Sequence, residues 1–253
     1  MKLSIVTINL NNKDGLKRTI KSVISQNYKN FEWIVIDGGS KDGSLEILND
    51  YSLHFDYFIS EIDNGIYNAM NKGILHAHGE YLLFLNSGDI LISINTLQKI
   101  IPFLYENDFI VGREISEKGE KKLRCVNKIY LNYFLILNSL PHQATFIKRE
   151  LFFKYGFYNE NFKIVSDWWF TIITLILGDA NIRILNLPIC YYDTKGLSSI
   201  NYNQMIKEKL GLLENLKLPF ISSMFLGIYK FKIFLNDKFQ LLIKYIYRFL
   251  NNN

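Results

Sequence analysis

In the first 86 residues, short apolar runs alternate with segments whose apolar positions recur at helical spacing. Residues 3–10 (LSIVTINL) are nearly all apolar and rich in β-branched side chains, which is the pattern of a strand buried on both faces. The residues that follow carry one apolar stripe among lysines and arginine, which predicts a helix. The same cycle predicts strands at 31–37, 55–60 and 80–86 and helices near 45–51 and 65–77. Strands that alternate with helices of this length indicate βαβ units and a mostly parallel sheet.

Beyond Asn86 the alternation is less regular, which predicts an α+β half built onto the parallel half. The pattern predicts helices at 95–105, 129–138, 167–177 and 201–213, strands at 108–115, 142–148 and 182–192, and a charged hairpin at 116–122. We therefore expect one α/β domain over 1–204 and a basic amphipathic helical tail over 205–253.

Apolar residues make up 49% of the 253 positions and charged residues 21%, a composition typical of globular proteins that excludes disordered and collagenous chains. Cys125 and Cys190 lie in no CxxC or Cys/His cluster, so we expect neither a disulfide framework nor a structural zinc site. The first residues lack the apolar core of a signal peptide, and no uncharged apolar stretch reaches the ~20 residues of a spanning helix. A cytoplasmic location follows as the expectation.

The net charge of +5 comes entirely from the tail. Through Ile206 the chain has 21 basic and 21 acidic residues, and eight basic and three acidic residues follow. The balanced first part excludes nucleic acid as a partner. Basic residues interleaved with apolar and aromatic ones over 205–253 are typical of helices that lie on anionic membranes, here the inner face of the cell membrane. Packing of these helices on the domain, or on a second copy in a homodimer, is the alternative that stays open.

Polar side chains follow the apolar runs at the points where predicted strands end. Thr7, Asn9, Asp37 and residues 86–89 (NSGD) would meet at one edge of a parallel sheet, where ligands of such sheets bind. Asp89 follows a glycine turn, and a carboxylate presented in this way can hold a hard divalent cation together with substrate phosphates. Ordinary turn chemistry, including an Asx turn, explains the same residues and stays open.

Two further segments carry candidate chemistry. Asp63 begins DNGIYNAMNKG (63–73), a predicted helix whose N-terminal NH groups can bind an anion, although a capped surface helix fits equally well. Asp167 begins the predicted helix at 167–177 beside two tryptophans, where partial burial would raise its pKa and favour general-base work. A plain N-cap is the alternative for Asp167. His142, after Pro141, is placed to orient a hydroxyl or phosphate.

Taken together, six segments resemble, in order and spacing, the family 2 glycosyltransferases of the GT-A fold, and in particular the bacterial branch that builds surface polysaccharides. The segments are SIVTINLNN, FEWIVIDGGSKDGS, DNGIYNAMNKG, YLLFLNSGD, HQATF and SDWW, within residues 2–200. The resemblance implies a nucleotide-binding half at 1–90 and an acceptor-binding half at 91–204. It also implies inverting, metal-dependent transfer of a sugar from a nucleotide-diphospho-sugar, commonly a UDP-sugar, to a hydroxyl of a glycan or lipid-linked glycan.

The resemblance also implies roles for single residues. Asp167 would be the catalytic base, and Asp89 would hold the Mn²⁺ or Mg²⁺ that bridges the diphosphate. The residues expected to bind the nucleotide-sugar are Thr7, Asn9, Asp37, Gly38, Asp63, Asn71, Asn86 and Ser87. Candidates for contacts with the acceptor or the diphosphate are His142, Trp168, Lys195 and Ser198, the last two on a loop (195–199) that resembles the loop closing over the donor.

Two departures from the family pattern matter. Position 38 is glycine, where many relatives carry a second aspartate that contacts the base. The first Asp of the DxD-type motif is replaced in NSGD, which predicts a weak metal site filled mostly when the diphosphate is bound. The altered motif keeps a non-catalytic nucleotide- or carbohydrate-binding subunit open as an alternative. A sugar nucleotidyltransferase is less favoured, because residues 7–18 lack the glycine- and arginine-rich loop that a triphosphate requires.

Overall fold

The computed structural model describes residues 2–116, 135, 138–193, 201–215 and 227. The predicted hairpin at 116–122, most of the predicted helix at 129–138, the loop at 195–199 and most of the tail lie outside the described residues. The chain divides into two compact units, Met1–Ile200 and Asn201–Asn253. The second unit contains a helix at Tyr202–Asn215.

Eight strands of the described chain form one sheet. They are β1 (Leu3–Asn9), β2 (Glu32–Asp37), β3 (Tyr57–Ser60), β4 (Tyr81–Phe84), β5 (Ile90–Leu91), β6 (Phe109–Ser116), β7 (Thr145–Lys148) and β8 (Ile182–Tyr192). Their spatial order is β3-β2-β1-β4-β7-β6-β8-β5. The first four are parallel, β7 is antiparallel to both β4 and β6, and β6 is again parallel to β8. The predicted mostly parallel sheet is confirmed.

The helices of the first unit are α1 (Lys13–Ile24), α2 (Ser44–Asp50), α3 (Ile66–His76), α4 (Thr96–Ile100), α5 (Glu150–Tyr155) and α6 (Ser166–Thr171), the last continued by a π-helix at Ile172–Leu177. The predicted helix at 95–105 is shorter, because α4 passes at Ile101 into a 3₁₀ turn that contains Pro102. The predicted strand at 142–148 begins as a 3₁₀ turn, His142–Ala144, before β7. Among the described residues, no helix combines the length and the apolar character that crossing a membrane requires.

Helix α3 packs directly on β1. A side chain at Gly73 would place its Cβ 2.3 Å from Cγ1 of Val6, so only glycine permits this approach. Asn71, on the same helix, donates to the carbonyl of Tyr158 at 2.8 Å and accepts from the Tyr158 NH at 3.1 Å. These contacts hold α3 between the parallel sheet and the segment that leads to α6.

Candidate active site

The carboxyl ends of β1 and β2 meet in a cluster of hydrogen bonds around Asp37. Its carboxylate accepts from Asn9 Nδ2 at 2.7 Å, from the hydroxyls of Ser40 and Ser60 at 2.6 Å each, and from the Ser40 NH at 2.9 Å. Burial alone would raise the pKa of Asp37, but these hydrogen bonds outweigh it and hold the pKa below its ordinary value. Asp37 is fully buried and its charge is satisfied by the protein itself.

Asp63 lies directly over Gly38. Asp63 Oδ2 is 2.5 Å from the position that a Cβ at residue 38 would take, and Oδ1 accepts from the Gly65 NH at 2.9 Å. The space of a side chain at position 38 is therefore filled by the carboxylate of Asp63. Gly38 and Asp63, which were predicted as separate site residues, thus lie in contact at the edge of the sheet.

Helix α1 fixes the turn at 86–89. The Thr19 hydroxyl donates to the carbonyl of Asp89 at 2.8 Å and accepts from the Gly88 NH at 2.9 Å. Gly88 has φ +106°, a left-handed conformation that favours glycine. Asn12 Nδ2 donates to the carbonyl of Ser87 at 2.9 Å. The turn is thus held by hydrogen bonds to its backbone groups, and the side chains of Asn86 and Asp89 are not needed to form these bonds.

The side chain of Asp89 is buried with little compensation. It is 4% exposed, and Oδ1 accepts from the Asp193 NH at 3.1 Å. Burial raises the pKa of Asp89 to about 7, although the nearby His142 acts in the opposite direction. Within the described part of the chain, no group of three His, Cys, Asp or Glu side chains is arranged to hold a metal. The role of Asp89 as a metal ligand stays a prediction.

Two buried amide oxygens at the same edge have no hydrogen-bond partner among the described residues. They are Oδ1 of Asn9, at the end of β1, and Oδ1 of Asn86, just after β4. Buried acceptors are normally satisfied, and an exception calls for an explanation such as an ion or ligand. Asn86 Nδ2 lies 3.1 Å from His142 Nε2, so Asn86 also connects the end of β4 to the turn before β7.

Asp167, the second residue of α6, lies next to His142 and Tyr67. The Tyr67 hydroxyl donates to Asp167 Oδ1 at 2.8 Å, and His142 Nδ1 is 3.7 Å from Oδ2. The Asp167 side chain is 17% exposed, so the carboxylate is accessible from one side. No side chain caps the helix N-terminus, whose N-cap residue is Val165, so the N-cap alternative for Asp167 is wrong.

The expected rise in the pKa of Asp167 is also wrong. Burial does act to raise it, but the interactions with His142 and the hydrogen bond from Tyr67 outweigh burial and hold the pKa below its ordinary value. Burial lowers the pKa of His142, and the surrounding carboxylates, first Asp167 and then Asp89 and Glu114, raise it to a net value above the ordinary one. Asp167 and His142 thus stabilise each other's charged forms.

Three residues predicted for the site have other partners in the structure. Thr7 is fully buried and its hydroxyl accepts from the Trp33 indole NH at 3.1 Å. Trp168 is fully buried, and its indole NH donates to the carbonyl of Leu135 at 2.7 Å, which leaves it no surface for an acceptor. Asn71 bonds the backbone of Tyr158, as described above. Lys195 and Ser198 lie outside the described residues.

Tyr67 is the site residue that sequence reasoning missed. It is 4% exposed and lies on α3, 100 positions from the aspartate that it contacts. Tyr67, Asn71 and Ile74 follow one another at helical spacing and are all buried. A tyrosine within such a buried stripe needs a hydrogen-bond partner for its hydroxyl. This requirement is the feature of the sequence that could have indicated a polar contact for Tyr67.

Comparison with known proteins agrees with this geometry. Residues 4–164 match the family model described as Glycosyl transferase family 2. An uncharacterized glycosyltransferase of Mycobacterium tuberculosis is 35% identical over 206 residues, which are 78% of this chain and 77% of the relative. A PGL/p-HBAD biosynthesis glycosyltransferase of Mycobacterium bovis is 32% identical over 199 residues, which are 76% of this chain and 77% of the relative.

Solved structures show the same fold at low sequence identity. Staphylococcus aureus TarS in complex with UDP-GlcNAc superposes with a TM-score of 0.64 and 21% identity, over 76% of this chain and 58% of that chain. The mannosyltransferase PcManGT of Pyrobaculum calidifontis, in complex with GDP-Man and Mn²⁺, superposes with a TM-score of 0.58 and 14% identity. The match covers 74% of this chain and 56% of that chain. The present chain thus spans less than two thirds of either structure.

Proposed function

Because this chain belongs to glycosyl transferase family 2 and is a glycosyltransferase of the GT-A fold, we propose that it is an inverting, metal-dependent enzyme. The donor is a nucleotide-diphospho-sugar, with UDP as the expected nucleotide, and the acceptor is a hydroxyl of a glycan or lipid-linked glycan in polysaccharide or glycolipid biosynthesis. The observation that carries this proposal is the pair of aspartates, Asp89 and Asp167, connected through Asn86 and His142 at the carboxyl edge of the sheet.

Asp167 is the group that we assign as the base. Its lowered pKa keeps the carboxylate ionised at neutral pH, and its partial exposure allows an acceptor hydroxyl to reach it. Asp167 takes the hydroxyl proton while the oxygen bonds to the anomeric carbon of the donor sugar. The bond from that carbon to the diphosphate oxygen breaks, and the diphosphate leaves with the electron pair. Attack from the face opposite the diphosphate inverts the configuration.

Asp89 and Asn86 fit a divalent cation. Both offer oxygen, the ligand that Mg²⁺ and Mn²⁺ prefer, and the Asn86 Oδ1 atom is buried without a partner among the described residues. The raised pKa of Asp89 means that its attraction to His142 and the hydrogen bond from the Asp193 NH do not offset the burial of its charge. A cation bound there with the donor would neutralise charge on the leaving diphosphate. A single carboxylate predicts the weak site that the replaced DxD-type motif suggested.

Asp63, Asn9 and Ser87 complete the proposed donor side. Asp63 fills the space of the side chain that Gly38 lacks, so we assign to Asp63 the base contact that many relatives make from position 38. The unpartnered Oδ1 of Asn9 supports a nucleoside contact, and the partly exposed Ser87 lies in the same turn as Asn86. We assign a structural role at this edge of the sheet to Thr7, Asp37 and Asn71, because their polar groups are hydrogen-bonded within the protein. Trp168 is left out of the proposed site.

The experiment that tests the proposal compares wild type with Asp167→Asn, using UDP-glucose, UDP-galactose and UDP-N-acetylglucosamine as donors with Mn²⁺. Release of UDP is measured with alkyl glycosides or water as acceptors. Asp167→Asn should reduce turnover by at least about a thousandfold, because the base is lost, while UDP binding stays intact. Near wild-type turnover by the variant would overturn the assignment of Asp167.

A further inference from the structure

The hydroxyl of Tyr67 is directed at the proposed base from the inside of the protein. Tyr67 is 4% exposed, so its hydroxyl has no access to bulk water in which to find another partner. The bond to Asp167 Oδ1, at 2.8 Å, joins α3 to α6. A hydrogen bond to an ionised acceptor is about twice as strong as one between neutral groups. The contact therefore fixes one oxygen of the carboxylate.

The two oxygens of Asp167 are consequently not equivalent. Oδ1 is engaged by Tyr67, whereas Oδ2 faces His142 Nδ1 across 3.7 Å, beyond ordinary hydrogen-bond distance. We propose that Tyr67 is a positioning residue that holds Asp167 by Oδ1, so that Oδ2 receives the proton of the acceptor hydroxyl. This inference rests on the proposed role of Asp167 as base and names the residue that orients it.

The tyrosine is suited to this work because it does not titrate in the working range. Burial first, and then the charge of Asp167, raise the pKa of Tyr67 well above its ordinary value. The phenol therefore stays protonated and remains a donor to Oδ1. Among the described residues, the titratable groups that interact with Asp167 are Tyr67 from α3, His142 from the turn before β7, and Tyr158.

Helix α3 is anchored firmly enough to serve as a reference point for the base. The contact of Gly73 with Val6 sets its distance from β1, and the two hydrogen bonds of Asn71 tie it to Tyr158. A catalytic group held by such a support loses little entropy when the substrate arrives. Removing the hydroxyl should thus affect the chemical step more than donor binding.

The chain offers a matched control in Tyr158. Its ring lies 5.5 Å from that of Tyr67, centroid to centroid, and the residue is 3% exposed. Within the described residues the Tyr158 hydroxyl makes no hydrogen bond to Asp167. Tyr67→Phe and Tyr158→Phe therefore each remove one buried hydroxyl from the same aromatic pair and keep the ring, but only the first removes a donor to the base.

The test measures kcat, KM for the UDP-sugar and the pH profile of UDP release with Mn²⁺, for full-length wild type and both variants. For Tyr67→Phe we expect kcat to fall about ten- to a hundredfold with KM little changed. The acidic limb of the profile should move to higher pH, because a carboxylate that loses a donor has a higher pKa. Tyr158→Phe should leave kcat and the acidic limb unchanged.

Two outcomes would overturn the inference: an unchanged kcat and acidic limb in Tyr67→Phe, or the same change in Tyr158→Phe. Asp167→Asn, measured alongside, separates the inference from the proposed function. An active Asp167→Asn rejects the base itself, whereas an inactive Asp167→Asn with a normal Tyr67→Phe rejects only the role of Tyr67. If Tyr67 acts through Asp167, the double variant should be no slower than Asp167→Asn alone.

Discussion

Asp37 ends β2, Asp89 follows β4, and both are buried, yet their carboxylates differ in how far the protein compensates their charge. Four hydrogen bonds surround the carboxylate of Asp37, and its pKa is lowered. Asp89 accepts one backbone hydrogen bond from Asp193, and burial raises its pKa to about 7. Asp37 is therefore complete without a ligand, whereas for Asp89 the attraction to His142 does not offset burial, so that a bound cation would stabilise its charge further.

The comparison separates two roles that look alike along the chain. A carboxylate whose acceptors are all used builds the edge of the sheet and gains nothing from a ligand. A carboxylate that is desolvated without compensation is costly to the folded protein, and such residues concentrate at functional sites. The difference supports assigning Asp37 to the scaffold and Asp89 to the metal.

Replacing each aspartate with asparagine should have different effects: one variant should lose turnover and the other should lose stability. This is the largest difference that we expect. Asp89→Asn should lower Mn²⁺-dependent turnover at least about a hundredfold and leave the metal-free protein as stable as wild type or more so, because no buried charge remains. Asp37→Asn should instead lower the free energy of unfolding by about 2–4 kcal/mol, because an amide cannot accept all four hydrogen bonds. Urea unfolding and UDP release measure both. Equal loss of stability in the two variants would contradict the comparison.

The pH dependence of stability should distinguish the same two residues on a smaller scale. The pKa of Asp89 in the folded protein, about 7, lies above the unfolded value near 3.8, so the folded state binds the extra proton between these limits. The contribution of Asp89 to stability is therefore full below pH ~4 and declines by a few kcal/mol as the pH rises towards 7. The lowered pKa of Asp37 has the opposite sign, since its contribution is present above pH ~4 and declines in acid.

Urea unfolding of the metal-free protein over about three pH units, from about pH 4.5 to 7.5, checks the sign of the contribution of Asp89 to stability. The difference between wild type and Asp89→Asn cancels the groups that titrate independently of Asp89, and leaves the titration of Asp89 together with its coupling to His142. Wild type should lose stability relative to the variant as the pH rises, and saturating Mn²⁺ with UDP should remove that loss. A constant difference across the range would mean that the pKa of Asp89 is not raised.

The fold was largely predictable because the sequence repeats its pattern. The apolar runs that became β1, β2 and β4 are buried along their whole length, and a strand buried on both faces admits few polar residues. Helix α3 was predicted from the helical spacing of its apolar residues. The second half was less regular, and there the helix after Asn95 ended early and the strand at 142–148 began as a turn.

The sheet edge that carries the candidate site was predictable, but the hydrogen bonds and pKa shifts of its residues were not. The strand ends predicted the edge that carries Asn9, Asp37 and Asp89, because parallel strands bring these positions together. The predicted direction of the pKa shift of Asp167 was wrong, since the shift depends first on His142 and then on Tyr67, and no local pattern reveals that either residue lies beside Asp167. Whether an amide or carboxylate is already satisfied, as for Asn71, likewise depends on residues distant in sequence.

The comparisons with known proteins favour a glycosyltransferase over the alternative functions that the sequence left open. Membership of the family, together with relatives named glycosyltransferases, disfavours the non-catalytic subunit and the nucleotidyltransferase. The altered NSGD turn is compatible with catalysis, because it presents one buried carboxylate and an unpartnered amide oxygen. The role of the tail, on a membrane, on the domain or in a homodimer, stays a prediction.

The most direct test of the central claim is a thermal-shift panel of the full chain against UDP, GDP, CMP and dTDP, each with and without Mn²⁺. A ligand at 100 times its Kd adds roughly 2.7 kcal/mol of stability, which is readily measured. We predict a shift with UDP that grows with Mn²⁺, an increment lost in Asp89→Asn, and a weaker preference for UDP in Asp63→Asn. No shift with any nucleotide, or an Mn²⁺ increment unchanged in Asp89→Asn, would contradict the account.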